Sequence, residues 1–183
     1  MARWHRRYIR RQNVLTSDAA TYQETLPKSG ALSGLEVRVA ITNGATGGGG
    51  EDVIDAIDRI EVIGNGSEVL FSIEGIELAK WCQYWTGRNM PQNRDDRNGE
   101  VQFAVFPVMF GRKFGDPELW LPLARFTDVE LRITYSPTIG VATFATGTVT
   151  VDVIAWMYGN NEIPPRNRGW LRTTQIKSFT SVA

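Results

Sequence analysis

Leu35, Val37, Val39 and Ile41 alternate with Glu36, Arg38, Ala40 and Thr42, and this period of two predicts a strand with one buried face. Asn43-Gly44 punctuates it, and four glycines, Gly47, Gly48, Gly49 and Gly50, follow. Ile57 to Ile63 reads as a second strand, ended by Gly64-Asn65-Gly66, which supplies positive φ at little cost for a hairpin. Val69, Phe71 and Ile73 continue as a third. The period then changes. Over Gly75 to Gly87 the apolar residues Leu78, Cys82 and Trp85 recur at helical spacing, with glycine at both ends, so a short helix is expected. Strand alternation resumes with Val101, Phe103 and Val105. It returns most cleanly with Val129, Leu131, Ile133 and Tyr135, and again with Val149, Val151, Val153, Ala155 and Met157. Beside this last set, Ile154 and Trp156 make the opposite face apolar too, so something is expected to cover it. Pro164-Pro165 ends the ladder, and a final strand is expected over Gln175 to Val182.

This pattern has six to eight strands, one short helix and no helix–strand alternation, which argues against a parallel α/β sheet. The expected fold is all-β: a single antiparallel jelly-roll β-barrel or sandwich with one short helix and extended terminal arms. With 183 residues, 42% of them hydrophobic, one core is expected. The expected division is a basic N-terminal arm over residues 1–32, a barrel over 33–163, and a C-terminal arm or last strand over 164–183. Within the first arm, Arg3 to Leu15 suits a short helix formed on binding a partner.

Charge sharpens the picture of the arm. The chain carries 20 basic and 20 acidic residues, but Arg3, Arg6, Arg7, Arg10 and Arg11 crowd the start, leaving a net charge of −5 from Gln12 onward. Trp4, Tyr8 and Ile9 interleave with these arginines, a pattern that fits nucleic acid, an anionic membrane surface or the acidic body of a neighbouring copy. A second group of candidates lies in or near irregular, glycine- and proline-containing sequence. Phe106, Phe110, Phe114, Trp120 and Trp156 read as interface anchors, a role aromatic residues fill well.

Candidate chemistry is sparse. After Gly47–Gly50 come Glu51 and Asp52, whose carboxylates repel phosphate, so the glycines read as a flexible strand connection rather than a nucleotide cradle. Asp52, Asp55, Asp58 and Glu61 read as solvated acids. The chain has one histidine, His5, and one cysteine, Cys82. Neither a zinc site nor a catalytic triad can be built from them, and Cys82 falls on the apolar stripe of the helix. No cofactor and no metal are expected, and no enzymatic activity. The sequence has no apolar run long enough for a membrane-spanning helix.

The stretch IDAIDRIEVIGNGSEVLFSIEGIELAKWCQYWTG, Ile54 to Gly87, preceded by a strand and a glycine-rich loop, resembles the small single jelly-roll major capsid proteins of tailless icosahedral viruses with an internal membrane, which infect thermophilic bacteria and halophilic archaea. The resemblance covers Leu35 to Tyr158. It implies a virion structural protein, assembled in the host cytoplasm, that forms capsomers with itself and with a second, larger capsid protein. It implies that the arginine arm faces internal membrane lipids or a neighbour, with nucleic acid a lesser candidate. A different reading stays open: a carbohydrate- or receptor-binding jelly roll presenting Trp81, Tyr84 and Trp85.

Overall fold

The computed structural model describes residues 3–17, 19–45, 52–136, 144–159 and 163–175. In chain order the elements are β1 (Trp4–Leu15), β2 (Ala20–Thr25), β3 (Ala31–Thr42), β4 (Ile57–Gly64), β5 (Glu68–Ile73), α1 (Gly75–Thr86), β6 (Gln92–Asn93), β7 (Val101–Met109), β8 (Leu121–Pro122), β9 (Val129–Tyr135), β10 (Val149–Tyr158) and β11 (Thr173–Thr174). One sheet runs β1-β10-β3-β7-β6, with β8 beside β3; the other runs β11-β5-β4-β9-β2. Pairing is antiparallel except between β11 and β5. The longer strands β1, β10, β3, β7 and β2, β9, β4, β5 form the two four-stranded layers of a jelly roll. Neither sheet closes on itself, so the molecule is an open sandwich.

The core lies between the sheets. Val37, Val39 and Ile41 of β3 and Val151, Val153 and Ala155 of β10 face Ile60 and Val62 of β4 and Leu131 and Ile133 of β9, all buried. The hairpin between β4 and β5 turns at Asn65 (φ 52°) and Gly66 (φ 71°), the positive angles expected of that sequence. Helix α1 buries Leu78 and Cys82 and ends at Gly87 in the left-handed conformation, φ 68°. Its first residue, Gly75, sits so close to the chain that a Cβ there would lie 2.5 Å from the Ile57 carbonyl oxygen.

Three expectations are corrected. The N-terminal segment is extended, but it is neither a helix nor separate from the body. Trp4–Leu15 is an edge strand on β10, and Ala20–Thr25 pairs with β9. Charged edge strands escape a periodicity search because only one neighbour and a few core contacts fix them; here Ile9 and Leu15 are the residues of β1 packed against the core. In β7 the apolar alternation marks the outer face. Gln102, Ala104, Phe106 and Val108 are the inward set, whereas Val101 is exposed and Phe103 and Val105 are half-buried. Gln102 survives inside because its side-chain amide donates to Asn43 Oδ1 at 2.9 Å. Finally, Phe106, Phe110 and Trp120 are at most 2% exposed and belong to the interior, so they offer nothing to a partner. Gly47–Gly50 and all but Gln175 of the expected last strand lie outside the described residues.

Candidate assembly surfaces

Strand β1 sorts its arginines by role. Arg10 donates from Nε and Nη2 to Glu24 of β2, at 2.8 and 3.2 Å, across the open side of the sandwich. The Tyr22 hydroxyl donates to the same carboxylate. Burial, together with this carboxylate, raises the Tyr22 phenol above its ordinary pKa, and the carboxylate raises the Arg10 guanidinium as well. Arg6 pairs with Glu36 of β3 at 2.5 Å. Arg3, Arg7 and Arg11 are exposed and make no ion pair with any described residue; Arg11 lies 5.7 Å above the Tyr8 ring. A bulge interrupts the strand where these arginines end. Gln12 has φ 47°, and its N–H donates to the buried Asp152 carboxylate at 2.7 Å, which Arg38 also engages at 3.1 Å.

The outer faces of the two sheets differ. On the β4–β5–β9 side they are polar: Arg59 donates to Ser72 Oγ at 3.0 Å, Ser72 donates to Glu61 at 2.9 Å, and Arg132 pairs with Glu130 at 2.9 Å. The outer face of the β1–β10–β3–β7 sheet is aromatic. Trp156 and Phe114 stack with centroids 5.5 Å apart, and Trp4 meets Tyr158 edge-on at 5.3 Å. Phe114 thus supplies the cover expected for Trp156, and both remain half-buried. Beside them a groove of about 510 Å³ is lined by Cys82, Trp85, Val105, Pro107, Met109 and Phe114. Trp85 Nε1 donates to the Arg112 carbonyl at 2.9 Å, fixing the helix end against the loop after β7.

That loop is organised by Asp116. Its buried carboxylate accepts from Arg112 Nε at 2.8 Å and Nη2 at 3.0 Å, and from the backbone N–H groups of Arg112, Glu118 and Leu119. The Arg112 guanidinium holds the Asp116 carboxyl well below the usual carboxylate range. The Arg166–Leu171 segment then crosses the same end. Trp120 Nε1 donates to the Arg166 carbonyl at 3.1 Å, and Leu171 N–H donates to the Phe110 carbonyl at 2.9 Å.

Helix α1 carries the most exposed aromatic residue among the described residues, Tyr84 at 88%, next to the stacked pair Trp81–Trp85 with centroids 5.7 Å apart. At the helix start a recess of about 270 Å³ is bordered by Asp52, Asp55 and Ile76. Burial raises the Asp52 carboxyl above its ordinary pKa. Among the described residues no group of three or more metal-ligating side chains gathers, and no helix is long and apolar enough to cross a membrane. Sequence reasoning missed Tyr22, Glu24 and Glu36, the partners that turn an expected arm into a strand. A lone glutamate in the short, mostly polar β2 gives no periodic signal.

No family model matches the sequence, and no curated protein does. Solved structures do match. The chain is similar to the PBCV-1 virus capsid, with a TM-score of 0.62 and 15% identity, over 87% of this chain and 42% of that one. It is similar to the STIV MCP, with a TM-score of 0.56 and 13% identity, over 86% and 48%. It is also similar to PBCV-1 VP54 as fitted into a reconstruction of the virophage Sputnik, with a TM-score of 0.58 and 15% identity, over 87% and 42%. The chain spans less than half the length of each. At these identities the likeness is one of fold: a jelly roll of the kind found in viral capsid proteins.

Proposed function

We propose that the chain is a structural subunit of a viral capsid, without chemistry of its own, that works by repeated contact with copies of itself. The observation that carries this reading is the fold match over 86–87% of the chain to structures of viral capsid proteins. The aromatic outer face of one sheet, against the polar face of the other, gives such a subunit a side on which to pack. In its finer form the proposal places the protein in a shell over a membrane, beside a second and larger capsid protein, in a virus of the thermophile or haloarchaeal kind, assembled in the host cytoplasm. Because Arg7 and Arg11 stand on a pinned strand, a neighbouring copy suits them better than a distant surface. Arg3 and Trp4, at the strand's start, suit lipid headgroups, with nucleic acid the lesser alternative.

The test is sedimentation velocity and negative-stain microscopy of the purified chain, alone and with co-expressed capsid proteins of its source. Regular capsomers or closed shells are expected. A monomer at every concentration and salt in both preparations overturns the reading. A second reading, a glycan-binding module, rests on Tyr84 and the Trp81–Trp85 stack. It predicts saccharide capture by the monomer, lost in Tyr84→Ala.

A further inference from the structure

Arg11 and the Asp52–Asp55 pair stand on opposite rims of the sandwich. On one rim stands Arg11, unpaired among the described residues, with Val14 57% exposed further along the same strand; Arg7, likewise unpaired among them, lies nearer the start of the strand, opposite Ala155. On the other rim is the recess lined by Asp52, Asp55, Ile76 and Lys80, whose ammonium is already paired with Glu77 at 2.8 Å. Asp55 is exposed, Ile76 is 44% exposed, and Asp52 Oδ1 is buried with no hydrogen-bond partner among the described residues. The strand register links the rims. Asn13 lies opposite Val151, Val151 opposite Val39, Val39 opposite Ala104, and Ala104 opposite Gln92, which lines the recess. A single cross-strand row therefore runs from the basic rim to the acidic one, over roughly 19 Å for four inter-strand steps.

Two copies placed side by side with their strands parallel bring Arg11 and Val14 of one against Asp55 and Ile76 of the next. Like faces do not meet well: two β1 edges would oppose arginine to arginine. We infer that copies of this chain dock laterally and head-to-tail, the β1 rim of one entering the α1-side recess of its neighbour. Such a contact is heterologous, so it repeats in one rotational sense and closes a ring or extends a lattice. The inference rests on the proposed shell function and names the surfaces that function would use.

Three preparations test it by sedimentation velocity at low salt: wild type, Arg7→Glu/Arg11→Glu, and Asp55→Arg. Neither arginine has an ion pair with a described residue to lose, and Asp55 gives up one long hydrogen bond from the Asp52 N–H at 3.3 Å. Far-ultraviolet circular dichroism checks that each variant folds. Each variant is expected to lose association at least tenfold, and an equimolar mixture of the two to regain part of it through the reversed pair. Wild-type assembly raised from 50 to 500 mM salt is expected to weaken. Variants that assemble like wild type overturn the contact while leaving the shell reading standing. A wild type that stays monomeric, alone and with co-expressed capsid proteins, overturns both. If Asp55→Arg does not fold, the arginine variant together with Ile76→Glu decides the question in the same way.

Discussion

Arg10 and Glu24 join the first strand of one sheet to the first strand of the other, guanidinium to carboxylate through two hydrogen bonds of 2.8 and 3.2 Å. The carboxylate is 7% exposed, so the pair closes a side of the sandwich that backbone pairing leaves open. Replacing Arg10 leaves a buried carboxylate whose partners are reduced to the Tyr22 hydroxyl. Arg10→Ala is expected to lower the melting temperature clearly, and Arg7→Ala hardly at all, although the two residues lie three apart on one strand. Tyr22→Phe removes one hydrogen bond to a charged group and is expected to cost about 1–2 kcal/mol. Urea denaturation of the three variants reads all of these.

Gly34 lies on β3 beneath Phe114. A Cβ there would come within 2.4 Å of the Val108 carbonyl oxygen and 2.6 Å of the Phe114 ring. The ring can move, but the carbonyl belongs to the neighbouring strand of the ladder. Gly34→Ala is therefore expected to destabilise by about 1–3 kcal/mol. It should also unstack Phe114 from Trp156, visible as a change in tryptophan fluorescence of the folded protein.

The two faces of β7 make a direct comparison. Phe106 points into the core and Phe103 lies outside, under the Arg38 guanidinium 4.8 Å from its ring. Phe106→Ala is expected to cost about 3–5 kcal/mol by leaving a cavity. Phe103→Ala is expected to cost less than half of that. Equal losses in chemical denaturation would mean that the strand presents its other face inward.

Asp116 sets an acid limit on stability. Its carboxyl titrates lower in the folded chain than in the unfolded one, because Arg112 and three N–H groups favour the charged form. Its contribution is therefore complete above the unfolded carboxylate value near ~3.9 and is lost as pH falls toward the lower folded value. Thermal melts from pH 6 to pH 2 are expected to fall more steeply for wild type than for Asp116→Asn. At neutral pH the variant is expected to be less stable by about 2 kcal/mol.

Much of this architecture was legible because half-buried strands announce themselves. β9 alternates buried and partly buried residues without a break, and β3, β4, β5 and β10 were placed with the hairpin turn and helix α1 between them. Legibility failed where covering changes the rule. Val101, Phe103 and Val105 form the more apolar side of the start of β7, yet they lie on its outer face, Phe103 under Arg38 and Val105 in the groove beside α1, while Gln102 and Ala104 turn inward. Phe110 and Trp120 stand in irregular sequence, which suggested exposure. The chain folds that segment over the end of the sandwich and fastens it with backbone bonds from Leu171 and to Gly169. The arginine segment was visible as charge but not as structure. Its partners Glu24, Glu36 and Asp152 lie on three other strands, and nothing local foretells them.

Trp4 is paired with Tyr158. Among the described residues β1 thus has its ladder neighbour in β10, far along the chain, so pairing it requires closing a long loop. Until β10 is formed, β1 lacks the ladder partner it has among the described residues, a delay that non-local topologies impose on folding. Charge on an exposed edge discourages mispairing, and the arginines of β1 stand on such an edge.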